Sequence, residues 1–143
     1  MMTHPSAEQL IDQDWLPSNT LLAEFGLQAI ARPDVIDLEE MTQIVQLTRA
    51  IGPFVLQTAL RGQSFSLKSF STIDACWAAY FETIYESALF ILKDVGVSIW
   101  CPEDHHYHIV ISPTNISRAM SQSLFAGKDR DFQEYIDLPH WDA

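Results

Sequence analysis

The stretch ACWAAYFETIYESALFILKDVG, Ala75 to Gly96, decides the fold. Apolar residues recur through it at helical spacing. Ile73 leads, then Cys76, Trp77, Tyr80, Ile84, Ala88, Ile91 and Val95, with Phe81, Tyr85, Leu89 and Leu92 widening the stripe. A period near 3.6 residues predicts one long helix over about 73–95, capped by Ser71 or Thr72 and stopped by Gly96. A helix that is apolar around most of its girth belongs in the middle of a molecule. Glu82 and Glu86, four apart, would form its polar stripe. They also keep the apolar run short of the ~18 residues that cross a bilayer.

On the C-terminal side, VSIW and HYHIVI flank a polar turn and predict a hairpin over 97–111. A helix through Ala126 follows, capped by Thr114 or Asn115, and then an amphipathic helix over Lys128–Leu138 with Phe132, Tyr135 and Ile136 inward. Upstream, SFSLKS (Ser64–Ser69) alternates like a strand. Pro53 suits the first turn of a helix reaching Leu60. Leu38, Met41, Ile44, Val45 and Thr48 make a helical stripe, opened by the cap spacing Asp37/Glu40. A helix is also expected over Thr20–Ala31, and a short one behind the capping-box pair Ser6/Gln9. The fold expected is α+β and helix-rich. Several amphipathic helices and the long central helix pack against a small antiparallel sheet containing the 97–111 hairpin. Residues 1–143 suit a single globular domain.

A hydrophobic content of 48% is enough for a real core, so disorder is a poor description. The N-terminus carries no basic region and no apolar run, which predicts a cytoplasmic protein with Cys76 and Cys101 as free thiols. The net charge is −11. Direct binding to nucleic acid or to an anionic membrane is disfavoured, since both need clustered Lys and Arg. The charge is uneven. Residues 1–48 hold eight acids against one base, whereas 49–70 hold Arg49, Arg61 and Lys68 and no acid. Three charges over that basic stretch are too few for a nucleic-acid footprint.

CPEDHHYHIVI, Cys101 to Ile111, holds the densest set of chemistry-bearing side chains. Strand alternation puts Tyr107, Ile109 and Ile111 on one face, and His106, His108 and Val110 on the other. The apolar trio should face the core and leave the two imidazoles on a solvated face beside acids. Two such imidazoles can converge on one ion. Zinc takes His, Cys and carboxylate ligands, so Cys101, Glu103, Asp104 and His140 are the available completions. Convincing zinc signatures carry two ligand pairs, and here there is one. Cys101 with a histidine base has the residue types of a nucleophile pair, but no orienting third group or oxyanion hole is evident. Phosphate-loop, dinucleotide, nucleophile-elbow and paired CxxC motifs are absent. The carboxylates of Glu82 and Glu86 lack the helical Glu-x-x-His pairs that di-iron bundles need. Trp141, beyond Pro139, reads as a docked tail.

Two functions fit. The first is a small acidic interaction module of inhibitor, immunity or chaperone type, which binds a basic protein partner. Its contacts would be Asp12, Asp14, Asp34, Asp37, Glu39 and Glu40, with Trp15 as an aromatic anchor. It needs no cofactor, and it leaves a homo-oligomer open. The alternative is a zinc-binding protein or metal-dependent enzyme built on Cys101, His106 and His108.

Overall fold

The computed structural model describes residues 5–83, 85–103, 107–124 and 130–131. The elements are α1 (Ala7–Leu10), α2 (Asn19–Glu24), β1 (Leu27–Pro33), α3 (Leu38–Thr48), β2 (Phe54–Ala59) and β3 (Lys68–Phe70). They continue with α4 (Ile73–Glu82), β4 (Ser87–Leu92), β5 (Val97–Cys101), β6 (Tyr107–Pro113), α5 (Thr114–Ala119) and β7 (Arg130–Asp131). A π-helical turn, Met120–Leu124, extends α5.

The strands make one antiparallel sheet in the order β3-β2-β4-β5-β6-β1-β7. This sheet, and not a helix, is the central element, which corrects the helix-rich fold expected from the sequence. The long helix over 73–95 is two elements. Thr72 caps α4 by accepting from the Ala75 amide, as expected. The helix then stops at Glu82, Thr83 and Glu86 close a turn, and Ser87–Leu92 runs as a strand between β2 and β5. Glu82 and Glu86 therefore do not share a helix face.

The reason is burial. All six residues of β4 are buried, and so are all six of β2. A strand covered on both faces loses the polar half of its alternation and reads as a continuous apolar run. SALFIL does, and FVLQTA does over Phe54, Val55 and Leu56, before the buried polar Gln57 and Thr58. The helix expected over Pro53–Leu60 is accordingly β2. The helix expected over Thr20–Ala31 ends at Glu24, because Gly26 takes a left-handed φ of 67° and turns the chain into β1. The strand expected over Ser64–Ser69 is shifted to Lys68–Phe70. The 97–111 hairpin forms, with Ser98, Ile99 and Trp100 opposite Ile111, Val110 and Ile109, but as the middle of a large sheet. Of the helix expected over 128–138, Arg130 and Asp131 pair with β1 as strand β7. Phe132, Tyr135, Ile136, His140 and Trp141 lie outside the described residues.

Alternation along the strands divides the core in two. On one face Leu56, Phe90, Leu92, Val97, Ile99, Cys101 and Val110 pack beneath Met41 and Ile44 of α3, Cys76 and Tyr80 of α4, and Met120. On the other, Val55, Leu89, Ile91, Trp100, Tyr107, Ile109 and Ile111 meet Ala7 and Leu10 of α1, Leu22 of α2, and the loop residues Trp15 and Phe65. Among the described residues, no helix is long and apolar enough to cross a membrane.

Candidate functional site

His108 lies on the α3 side of β6, and it is buried rather than solvated. Sheet register brings its neighbours together. Arg32 of β1 is directly opposite it. Trp100 pairs with Ile109 across β5 and β6, so continuing that register by one residue sets Cys101 on its other side. Above this row stands Glu40, in the first turn of α3. Asp37 places it there, because the Asp37 carboxylate accepts from the Glu40 amide at 2.7 Å and fixes the start of the helix.

Glu40 uses both carboxylate oxygens. Oε1 accepts from Arg32 Nη2 at 2.7 Å, and Oε2 accepts from His108 Nε2. The other ring nitrogen, Nδ1, donates to the backbone carbonyl of Asp34 at 2.8 Å. Burial raises the Glu40 carboxyl, but the hydrogen bonds from His108 and Arg32, with their charges, outweigh it and hold the group below its ordinary value. The carboxyl is thus ionised at neutral pH. A carbonyl and a carboxylate can only accept, so His108 is held between them from both of its ring nitrogens. The result is a buried Arg32–Glu40–His108 cluster that ties β1, β6 and α3 together.

This geometry bears on each chemical expectation. Both nitrogens of His108 are engaged internally, so neither is available to a metal. His106 and Asp104 lie outside the described residues. Among the described residues, no three His, Cys, Asp or Glu side chains come together to hold an ion. Cys101 is buried within the core, where burial first, and then the nearby Glu40 charge, push its thiol well above its ordinary range. A protonated, inaccessible thiol is not a nucleophile. Burial likewise pushes Cys76 up to about 12.

The seven residues expected to contact a partner do not form one surface. Asp12 and Asp14 belong to the N-terminal segment over the opposite face of the sheet from α3. Asp12 Oδ1 accepts from the amides of Asp14 and Leu16, and shapes the turn. Asp14 is exposed, and its carbonyl accepts from Arg61 Nη2. Trp15 is an internal anchor. Its ring stacks on Phe65 at 5.1 Å and meets Trp100 edge-on at 5.8 Å. Its indole N–H donates to Ser87 Oγ at 2.8 Å. That hydroxyl also accepts from the Glu103 amide and donates to Glu103 Oε1, so its three hydrogen-bonding positions are all used. Glu103 in turn accepts from the Arg61 amide. The structure therefore gives Glu103 and Trp15 a joint role in holding the N-terminal segment against the sheet.

Asp34, Asp37, Glu39 and Glu40 do gather, at the corner between β1 and α3. Glu40 points inward. Asp34 and Glu39 are exposed, and their carboxylates make no hydrogen bond among the described residues. Val35 between them is 44% exposed. Sequence reasoning missed Arg32 and the inward turn of Glu40. The available signal was Arg32, the single base among the eight acids of residues 1–48. No family model matches this chain, and neither a curated protein nor a solved structure shows significant similarity to it.

Proposed function

We propose that this chain is a small acidic interaction module of inhibitor or immunity type, which takes a basic protein partner at the β1–α3 corner. One observation carries the proposal: the corner is held rigid from inside and left unpaired outside. His108 pins the Asp34 carbonyl, Asp37 caps α3, and Arg32 and His108 pin Glu40. The outward carboxylates of Asp34 and Glu39 flank the exposed Val35 with no internal partner to give up. A backbone already fixed in position loses little freedom on binding, which favours a tight complex. A net charge of −11 adds long-range attraction to a basic surface and faster encounter.

The test is a triple substitution chosen to preserve the fold. Asp34→Asn keeps a residue that tolerates the left-handed φ of 67° found there. Asp37→Ser keeps a helix cap. Glu39→Gln changes an exposed side chain. The triple variant should melt like the wild type and lose partner capture from native lysate. Capture by the wild type should weaken as salt rises. A partner held equally by both proteins would remove this corner from the interface.

A further inference from the structure

Beside β3, on the face away from α3, the sheet carries an open cavity of about 410 Å³, within the usual size range of small-ligand sites. Strand register explains its lining. Val55 of β2 pairs with Ile91 of β4 on one side and with Ser69 of β3 on the other, so these three form a row across the floor. Pro53, Leu67 and Lys93 surround them, and Ser6 and Gln9 of the α1 region close one side. Val55 and Ile91 make most of the floor apolar, while the Lys93 ammonium, the hydroxyls of Ser6 and Ser69 and the amides of Gln9 and Gln57 add polar groups to the lining.

The geometry points to a site for a small monocarboxylic acid with an apolar body, its carboxylate on Lys93 and its hydrocarbon on Val55, Ile91 and Leu67. The proposal is independent of the β1–α3 corner, which belongs to the opposite face of the sheet. Charge supports the polarity of the ligand. Lys93 forms no ion pair among the described residues, in a chain that carries 19 acids. No acid lines the cavity among the described residues, and Glu8 and Asp94, which adjoin its lining residues Gln57 and Lys93, are already hydrogen-bonded. Glu8 accepts from the side-chain amide of Gln57, and Asp94 accepts from the amides of Ile51 and Gly52. The segment 49–70, which supplies β2 and β3, holds no acid at all. A single cation suits a carboxylate. A phosphate would call for several donors or a bidentate arginine. Apolar exposure supports the body of the ligand. Leu67 stands at the lip 64% exposed, and a hydrocarbon chain would cover it.

Titration of the full chain with octanoate, followed by calorimetry and by methyl NMR, tests the site. Octanoate should bind saturably and shift the methyl signals of Val55, Leu67 and Ile91 first. Octanol, with the same chain and no charge, should bind at least about fivefold more weakly, since it lacks the charge-assisted contact. Lys93→Ala should weaken octanoate by a similar factor and leave octanol unchanged. Leu67→Ser should weaken both. Both substituted positions are exposed, so the variants should fold. The proposal is overturned by an absence of saturable binding, by equal binding of octanoate and octanol, or by an unaffected Lys93→Ala. A leucine-terminated peptide that bound more tightly than octanoate would assign the cavity to a polypeptide C-terminus instead.

Discussion

On the α3 face of the sheet, two helices of ten or more residues, the π-extended α5 and a buried ionic cluster cover the strands. On the opposite face, a four-residue helix, a six-residue helix and the Trp15–Phe65–Trp100 trio do the same work, and a cavity stays open beside β3. Arg32, Glu40 and His108 are joined to one another, whereas Ser98 Oγ and Trp100 Nε1 on the other face are buried with no hydrogen-bond partner among the described residues. A buried charge needs an opposite charge beside it, because an unpaired buried charge is far costlier than an unpaired hydroxyl. A face made of aromatic rings and short helices tolerates gaps and can leave room for a ligand.

The largest test removes the centre of the ionic cluster. Glu40→Leu would leave Arg32 and His108 buried without their carboxylate and should cost about 3–5 kcal/mol in urea unfolding. Replacing Arg32 and His108 by apolar residues in the same protein should recover much of that loss. The conservative Glu40→Gln isolates the charge. Glu40 has a lowered folded value against an ordinary 4.5. Its contribution is therefore complete above about pH 4.5 and disappears as pH falls through the folded value. The wild type should lose stability over that acid range, and Glu40→Gln should show a flatter profile.

Next comes a comparison of the two cores at adjacent residues. Leu89 and Phe90 are both fully buried and face opposite ways. Leu89→Ala should cost about 2–5 kcal/mol and Phe90→Ala about 3–5 kcal/mol. If the short-helix face relaxes more readily, Leu89→Ala will fall at the low end of its range. A smaller effect is expected of Trp15→Phe, which keeps the stacking on Phe65 but removes the donor to Ser87. It should cost about 0.5–1.5 kcal/mol. The smallest belongs to Ser98→Ala. Deleting a hydroxyl that has no partner among the described residues should leave stability unchanged within about 0.5 kcal/mol or raise it slightly. A clear loss there would show that the hydroxyl is satisfied in solution.

Three helix caps were legible in the sequence, but that of α5 was not: Pro113 stands at the cap, and Thr114 and Asn115, expected there, already lie inside the helix. Ser6 with Gln9, Asp37 with Glu40, and Thr72 all cap helices as their spacing implies. These signals are local, set by one side chain and an amide three residues on. The division of Tyr107, Ile109 and Ile111 from His108 and Val110 was legible too, because period-two alternation depends only on the strand. What could not be read was whether the second face of that strand meets water. His108 looked solvated because nothing local says that α3 lies over it. The same blindness produced the long helix. SALFIL is compatible with either period once both of its faces are buried, and only the neighbouring strands decide. Asp34 and Glu39 were legible as surface acids, but the cavity at Lys93 was not, since it joins residues from Ser6 to Lys93 that meet only in the folded chain.

The β3 border of the sheet has a consequence for crowded solutions. The interior strands are five to seven residues long, but β3 has three, and it begins with Lys68. A border this short offers a passing chain few open backbone groups, and the lysine makes dry stacking against another copy unfavourable. A sheet rich in uninterrupted apolar strands is thus protected from templating fibrils along that border. Lys68 should matter little to melting, and much to how concentrated a sample can become before it turns cloudy.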